Sequence, residues 1–116
     1  MHIEDCFGLR EAGSSAVLFY PGGIECECWS MSQFLRCRVE ANPAAKEDRN
    51  APPEMLTAFF AIGRVILTGR GLDHIAQKLQ AYELTKIKVS SSEKGEGTRV
   101  TIASIRFELD EPSVPN

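Results

Sequence analysis

Apolar residues recur along this chain with two periods, and each period marks one kind of element. In the stretch from Leu72 to Leu79 the apolar positions Leu72, Ile75, Ala76 and Leu79 fall at i, i+3, i+4 and i+7, one face of a helix. A helix is therefore predicted over about 72–82, with Gly71 as its cap and Asp73 in the first turn, where the helix dipole favours an acid. Elsewhere the period is two, or the run is short, continuous and rich in β-branched and aromatic residues, as in strands. Such runs cover 16–20, 24–29, 34–40, 65–68, 86–89 and 98–109. Leu35, Cys37 and Val39 share one face of their strand, and Arg36, Arg38 and Glu40 share the other. In the last run Val100 and Ile102 have one parity and Ile105, Phe107 and Leu109 the opposite one, which predicts a bulge near Ala103-Ser104.

Turn residues order these elements. Pro21-Gly22 suits the central pair of a type II turn, since Pro presets φ and Gly accepts φ above zero, so 16–20 and 24–29 should form a hairpin. Residues 41–53 carry three prolines and no apolar period, the pattern of a surface loop. The run 55–62 fits a helix started by Pro52-Pro53-Glu54, yet Thr57, Phe59, Phe60 and Ile62 favour a strand paired with 65–68 through Gly63-Arg64. The strand reading is preferred. Residues 2–9 read as an edge strand, 11–15 as a turn, 90–97 as a polar loop and 110–116 as a frayed tail. The expected architecture is a single α+β domain over 1–116: a mostly antiparallel, curved sheet of five to seven strands packed by one helix. A partly closed small barrel is its sharper form. The strand–helix–strand order at 64–89 leaves room for one parallel pairing.

Composition narrows the setting. With 116 residues, 43% apolar and 25% charged, the chain has the size and balance of one soluble domain. Its longest apolar run, Ala58–Ile62, is far short of the ~20 residues a membrane span needs. No apolar leader follows the N-terminus, so a cytoplasmic setting and no membrane contact are expected. A net charge of −3 argues against broad nucleic-acid binding, leaves room for a local basic patch, and suits recognition of a basic protein partner. Cys6, Cys26, Cys28 and Cys37 are expected as reduced, buried thiols. Zinc held by Cys26, Cys28 and Cys37 is the weaker reading, because the C-x₂-C spacing of turn-borne ligands is absent. Neither a metal nor a cofactor is expected.

Candidate chemistry centres on Gly69-Arg70-Gly71. Free amides at a helix start, with Arg70, could hold a phosphate or carboxylate. Neither the G-x-G-x-x-G nor the G-x-x-x-x-G-K-[ST] fingerprint is present, so a tight connection made by glycine is the stronger account. His74, in the first helical turn, is the weak candidate for a general base. The segment around Val65–Leu72 resembles a V-x-L-T-G-R-x-L pattern of small uncharacterised bacterial proteins, a resemblance that implies no activity. Glu25 and Glu27 could pair across strands with Arg36 and Arg38, and Trp29, sharing the parity of the glutamates, would then lie on an outer face as an interface anchor. Lys86 and Lys88 should face outward and protect a sheet edge. The leading functional expectation is a non-catalytic protein acting through self-association, as a homo-oligomer, or through a protein partner. The alternative is a binder of small anionic ligands at Gly69, Arg70, Gly71 and His74, and an enzyme using His74 with Arg70 ranks third.

Overall fold

The computed structural model describes residues 6–10, 13, 15–94 and 98–110, with the side chains of 91–94 and 98 outside that description. The expected strand start at 2–5, parts of the 11–15 turn, the 95–97 loop and the tail beyond 110 thus lie outside the described residues. Nine strands and one α-helix are present among those described: β1 (Phe7–Leu9), β2 (Ala16–Gly22), β3 (Glu25–Ser30), β4 (Phe34–Ala41), β5 (Glu54–Phe60), β6 (Gly63–Arg70), α1 (Leu72–Gln80), β7 (Leu84–Lys88), β8 (Ser90–Lys94) and β9 (Thr98–Leu109). They form a four-stranded sheet in the order β1-β7-β2-β3 and a five-stranded sheet in the order β4-β5-β6-β9-β8. Every pairing is antiparallel except β2 with β7. The fold is α+β, mostly antiparallel, with one helix. The strands divide into two sheets where one was expected, and neither is closed into a barrel.

The two sheets arise because the chain crosses between them at short connections. Ser30 caps a single 3₁₀ turn at Met31–Gln33 by accepting the Ser32 N–H, and that turn carries the chain from β3 to β4. β3 and β4 are edge strands of different sheets, so Glu25 and Glu27 never meet Arg36 and Arg38. The crossover from β6 through α1 to β7 also changes sheet. The one parallel pair therefore comes from β2 beside β7 and not from the strands that flank the helix.

Between the sheets lies an aromatic core. Trp29 stacks on Phe107 with centroids 5.9 Å apart and meets Phe60 edge-on at 4.9 Å; Phe19 and Phe34 extend the cluster against Phe107 and Phe60. Trp29 is only 2% exposed, which overturns its expected place on an outer face. Its parity with Glu25 and Glu27 is as read, but that parity faces the core. Burying an indole's 150–250 Å² is worth about 4–6 kcal/mol at 25 cal/mol/Å². The cost of burying the indole N–H is offset by the Glu27 carboxylate, whose Oε1 accepts it at 2.9 Å. Cys26 and Cys28 consequently point outward and are exposed, while Cys6 is fully buried and Cys37 half-buried. The expectation of four buried thiols fails for two of them.

Helix α1 packs Leu72, Ile75 and Leu79 into this core, against β4, β5 and β9 of one sheet and β7 of the other. Its ordered end comes two residues before the predicted one because Tyr82 adopts φ 59. With Tyr82 there, the Tyr82 and Glu83 N–H groups donate back to Leu79 O and Lys78 O at 3.1 and 2.9 Å, satisfying helix carbonyls. No helix among the described residues is long and apolar enough to cross a membrane.

Residues 54–60 form a strand, in a hairpin with β6 whose two-residue turn is Ala61-Ile62 and not Gly63-Arg64. The β2–β3 hairpin likewise turns two residues later than expected, at Gly23-Ile24. Gly23 holds φ 58 there, while Pro21 sits in the irregularity that shifts register between Phe19 and Gly22, where no ladder N–H is needed. Residues 90–94, read as loop, pair with the first half of β9. Lys86 and Lys88 belong to an inner strand, β7, so they guard no edge.

Candidate functional site: an arginine face

The five-stranded sheet has one face on the core and one in solvent, and alternation assigns each residue to its side. Leu56, Ala58 and Phe60 of β5, Val65 and Leu67 of β6, and Val100, Ile102, Ile105 and Phe107 of β9 face inward. The intervening positions face out. They include Arg36 and Arg38 of β4, Arg64 and Arg70 of β6, and Arg99 and Arg106 of β9, all exposed. Six of the chain's eight arginines thus share one surface of a protein whose formal net charge is −3. Sequence parity set Arg36 and Arg38 on one face of their own strand. Only the strand order brings β4, β6 and β9 into one sheet with these faces aligned.

Carboxylates on this face neutralise part of the charge. Arg64 and Arg106 flank Glu108 at 2.8 and 3.4 Å, and Arg38 approaches Glu40 at 3.5 Å. These pairs are exposed, so each contributes little to stability. Arg36 lies 4.2 Å over the centroid of Phe59. Ile66, on this outer face, is only 6% exposed. Arg70 and Arg99 make no ion pair among the described residues.

At the Arg70 end of the face lies a cleft of about 260 Å³, lined by Arg49, Pro52, Pro53, Gly69, Arg70 and Thr101 among others. Arg49 comes from the loop between β4 and β5, which is pinned at both ends by one side chain. Asn42, 7% exposed, donates Nδ2–H to Pro52 O at 2.8 Å, while its N–H donates to Pro53 O at 3.0 Å and its Oδ1 accepts the Ala44 N–H. A surface loop was expected at 41–53; its anchoring by Asn42 was not legible, because the partners are backbone carbonyls ten residues away.

The other parts of the expected anion site are used internally. The Leu72 N–H at the start of α1 donates to Glu54 Oε1 at 3.0 Å, so the helix start already holds a carboxylate of this chain. Gly69 is required for backbone approach: a Cβ there would lie 1.7 Å from Thr101 O. The register shift between Thr68 and Gly69 skips Ala103, the bulge the change of parity predicted. Gly71 caps the helix at φ 71, with Arg99 O 2.5 Å from any added Cβ. His74 is half-buried in α1, on the core side of the sheet, and does not line the Arg70 cleft. The cleft that holds Arg70 is thus built without His74.

The thiols are dispersed too. Cys26 and Cys28 lie on the outer face of the four-stranded sheet, whereas Cys37 faces α1 from the other sheet and donates to Ala76 O at 4.0 Å. Burial pushes the Cys37 thiol up from its ordinary value. A hydrogen bond to Cys26, then desolvation and the charge of Cys26, raise the Tyr20 hydroxyl. Comparison with known proteins finds no matching family model, curated protein or solved structure.

Proposed function

We propose that this chain is a non-catalytic protein that binds a protein partner through the outer face of its five-stranded sheet. The observation that carries the reading is the gathering of six exposed arginines from three strands onto that one face. Arginine is enriched at protein interfaces, where its planar fork makes paired hydrogen bonds and its stem packs on apolar groups. Two such faces repel, which disfavours a symmetric face-to-face dimer, so the proposed occupant is another protein. A photo-crosslinking side chain at Ser104, exposed in the middle of the face, should yield an adduct with another protein in the cells of origin. Adding Arg64→Glu and Arg106→Glu should abolish it. Adducts that persist in that variant, or that form equally from Leu18 on the opposite sheet, would remove the reading.

The cleft favours a second reading, a small anionic ligand held by Arg49 and Arg70. In a thermal-shift screen of anionic metabolites, a ligand of this site should raise the melting temperature of the native chain and leave Arg70→Ala unchanged. A shift that survives Arg70→Ala places the ligand elsewhere.

A further inference from the structure

We infer that the partner presents a carboxylate-rich segment, one of whose acidic side chains enters the cleft between Arg49 and Arg70; this rests on the binding role proposed above and narrows it. Among the described side chains, the seven cations of the face and its cleft are all guanidinium groups. A guanidinium offers parallel N–H donors that match a carboxylate or a phosphate in two-pronged contact. The choice of partner thus lies between acidic protein and nucleic acid.

Aromatic content and charge decide it. Proteins that hold single strands of nucleic acid supply exposed rings on which bases stack. Phe59 is the aromatic residue of this face among those described, and the Arg36 guanidinium already occupies its ring at 4.2 Å. A long polyphosphate would also overhang the face and meet the remainder of a chain with net charge −3. A short acidic segment need not. From Arg64 to Arg70 the face runs about 20 Å, the length of roughly six extended residues.

The cleft fits the same chemistry. At about 260 Å³ it falls below the ~300–1,000 Å³ of pockets that enclose a drug-sized ligand. One Asp or Glu side chain fits it: its methylene carbons would lie against Pro52 and Pro53, and its oxygens between Arg49, Arg70 and the Thr101 position. The Pro52 carbonyl is held by the Asn42 side chain, so this part of the cleft's lining is anchored before anything binds.

Fluorescence anisotropy of the full chain with an end-blocked hexaglutamate peptide, and with a short single-stranded RNA carrying the same label, tests the inference. At low salt the peptide should bind about tenfold tighter than the RNA. Arg70→Glu should weaken the peptide by about tenfold or more, and Arg49→Ala by about threefold to tenfold. Lys86→Glu, on the opposite sheet, should stay within about twofold, and all variants should keep the native melting temperature. RNA binding equal to or tighter than the peptide overturns the inference in favour of nucleic acid. An equal loss with Lys86→Glu overturns it as unspecific charge attraction, and so does the absence of peptide binding. If Ser104 crosslinks a protein in cells while hexaglutamate fails to bind, the binding role stands and the carboxylate chemistry falls; if both fail, both fall.

Discussion

Leu79→Asp should destabilise the protein by more than about 4 kcal/mol, enough to remove most of the stability of an ordinary domain. Leu79 is 1% exposed and lies in the core shared by both sheets and α1. Truncating a buried leucine costs roughly 2–5 kcal/mol through lost transfer energy and the cavity left behind. A carboxylate placed there adds its own desolvation, because the surrounding core residues are apolar and supply no partner. Thermal unfolding followed by circular dichroism should show either a melting temperature lowered by tens of degrees or no cooperative transition. Gln77→Asp, on the exposed side of the same helix, should change stability by only about 0.5 kcal/mol. Equal melting of Leu79→Asp and the native chain would mean that α1 does not pack as described.

Gly69→Val is the second large effect, expected at about 3 kcal/mol or more. The obstruction is backbone, with Thr101 O at 1.7 Å, Thr101 C at 2.8 Å and Ile102 Cα at 3.2 Å from an added Cβ. A flexible side chain could rotate away; the paired strand β9 can yield only by giving up its register with β6. Arg70→Ala, one residue on, removes an exposed side chain and should be nearly neutral in stability. A denaturant midpoint that drops for Gly69→Val and holds for Arg70→Ala separates the structural residue of this turn from the one available for binding. If Gly69→Val unfolds at the native midpoint, the close approach of β9 is not as described.

These two substitutions also mark where the sequence could be read and where it could not. Leu72, Ile75 and Leu79 announced a helix face because helical spacing is a local property, written within eight residues. The bulge at Ala103 was equally legible, as a change of parity along a single strand. Gly69 was legible as a turn glycine, but the reason for it was not: the atom it must avoid belongs to a strand some thirty residues later. Glu54 gave no signal as a cap for Leu72, because nothing local distinguishes a carboxylate eighteen residues before the amide it accepts from. Residues 90–94 lacked any apolar alternation, and their strand exists because β9 is long enough to offer them backbone partners.

Trp29 shows the limit most clearly. Alternation established that Glu25, Glu27 and Trp29 share one face and Cys26 and Cys28 the other. It could not say which face is inside, since acids beside Trp and a pair of thiols each make a plausible surface. The packed rings of Phe60 and Phe107 settle that question, and both come from the other sheet.

By itself, then, the sequence determined most of the element types, the alternation along the apolar strands, the place of the single helix and the α+β class. These depend on period and turn chemistry, which act over a few residues. Only the tertiary structure decided that the strands divide into two sheets, that Trp29 is core, that Glu54 fills the helix start, and that arginines from β4, β6 and β9 meet on one face. Each of these depends on which strands become neighbours, and that is set by burial of apolar area across the whole chain, a sum that no local window contains.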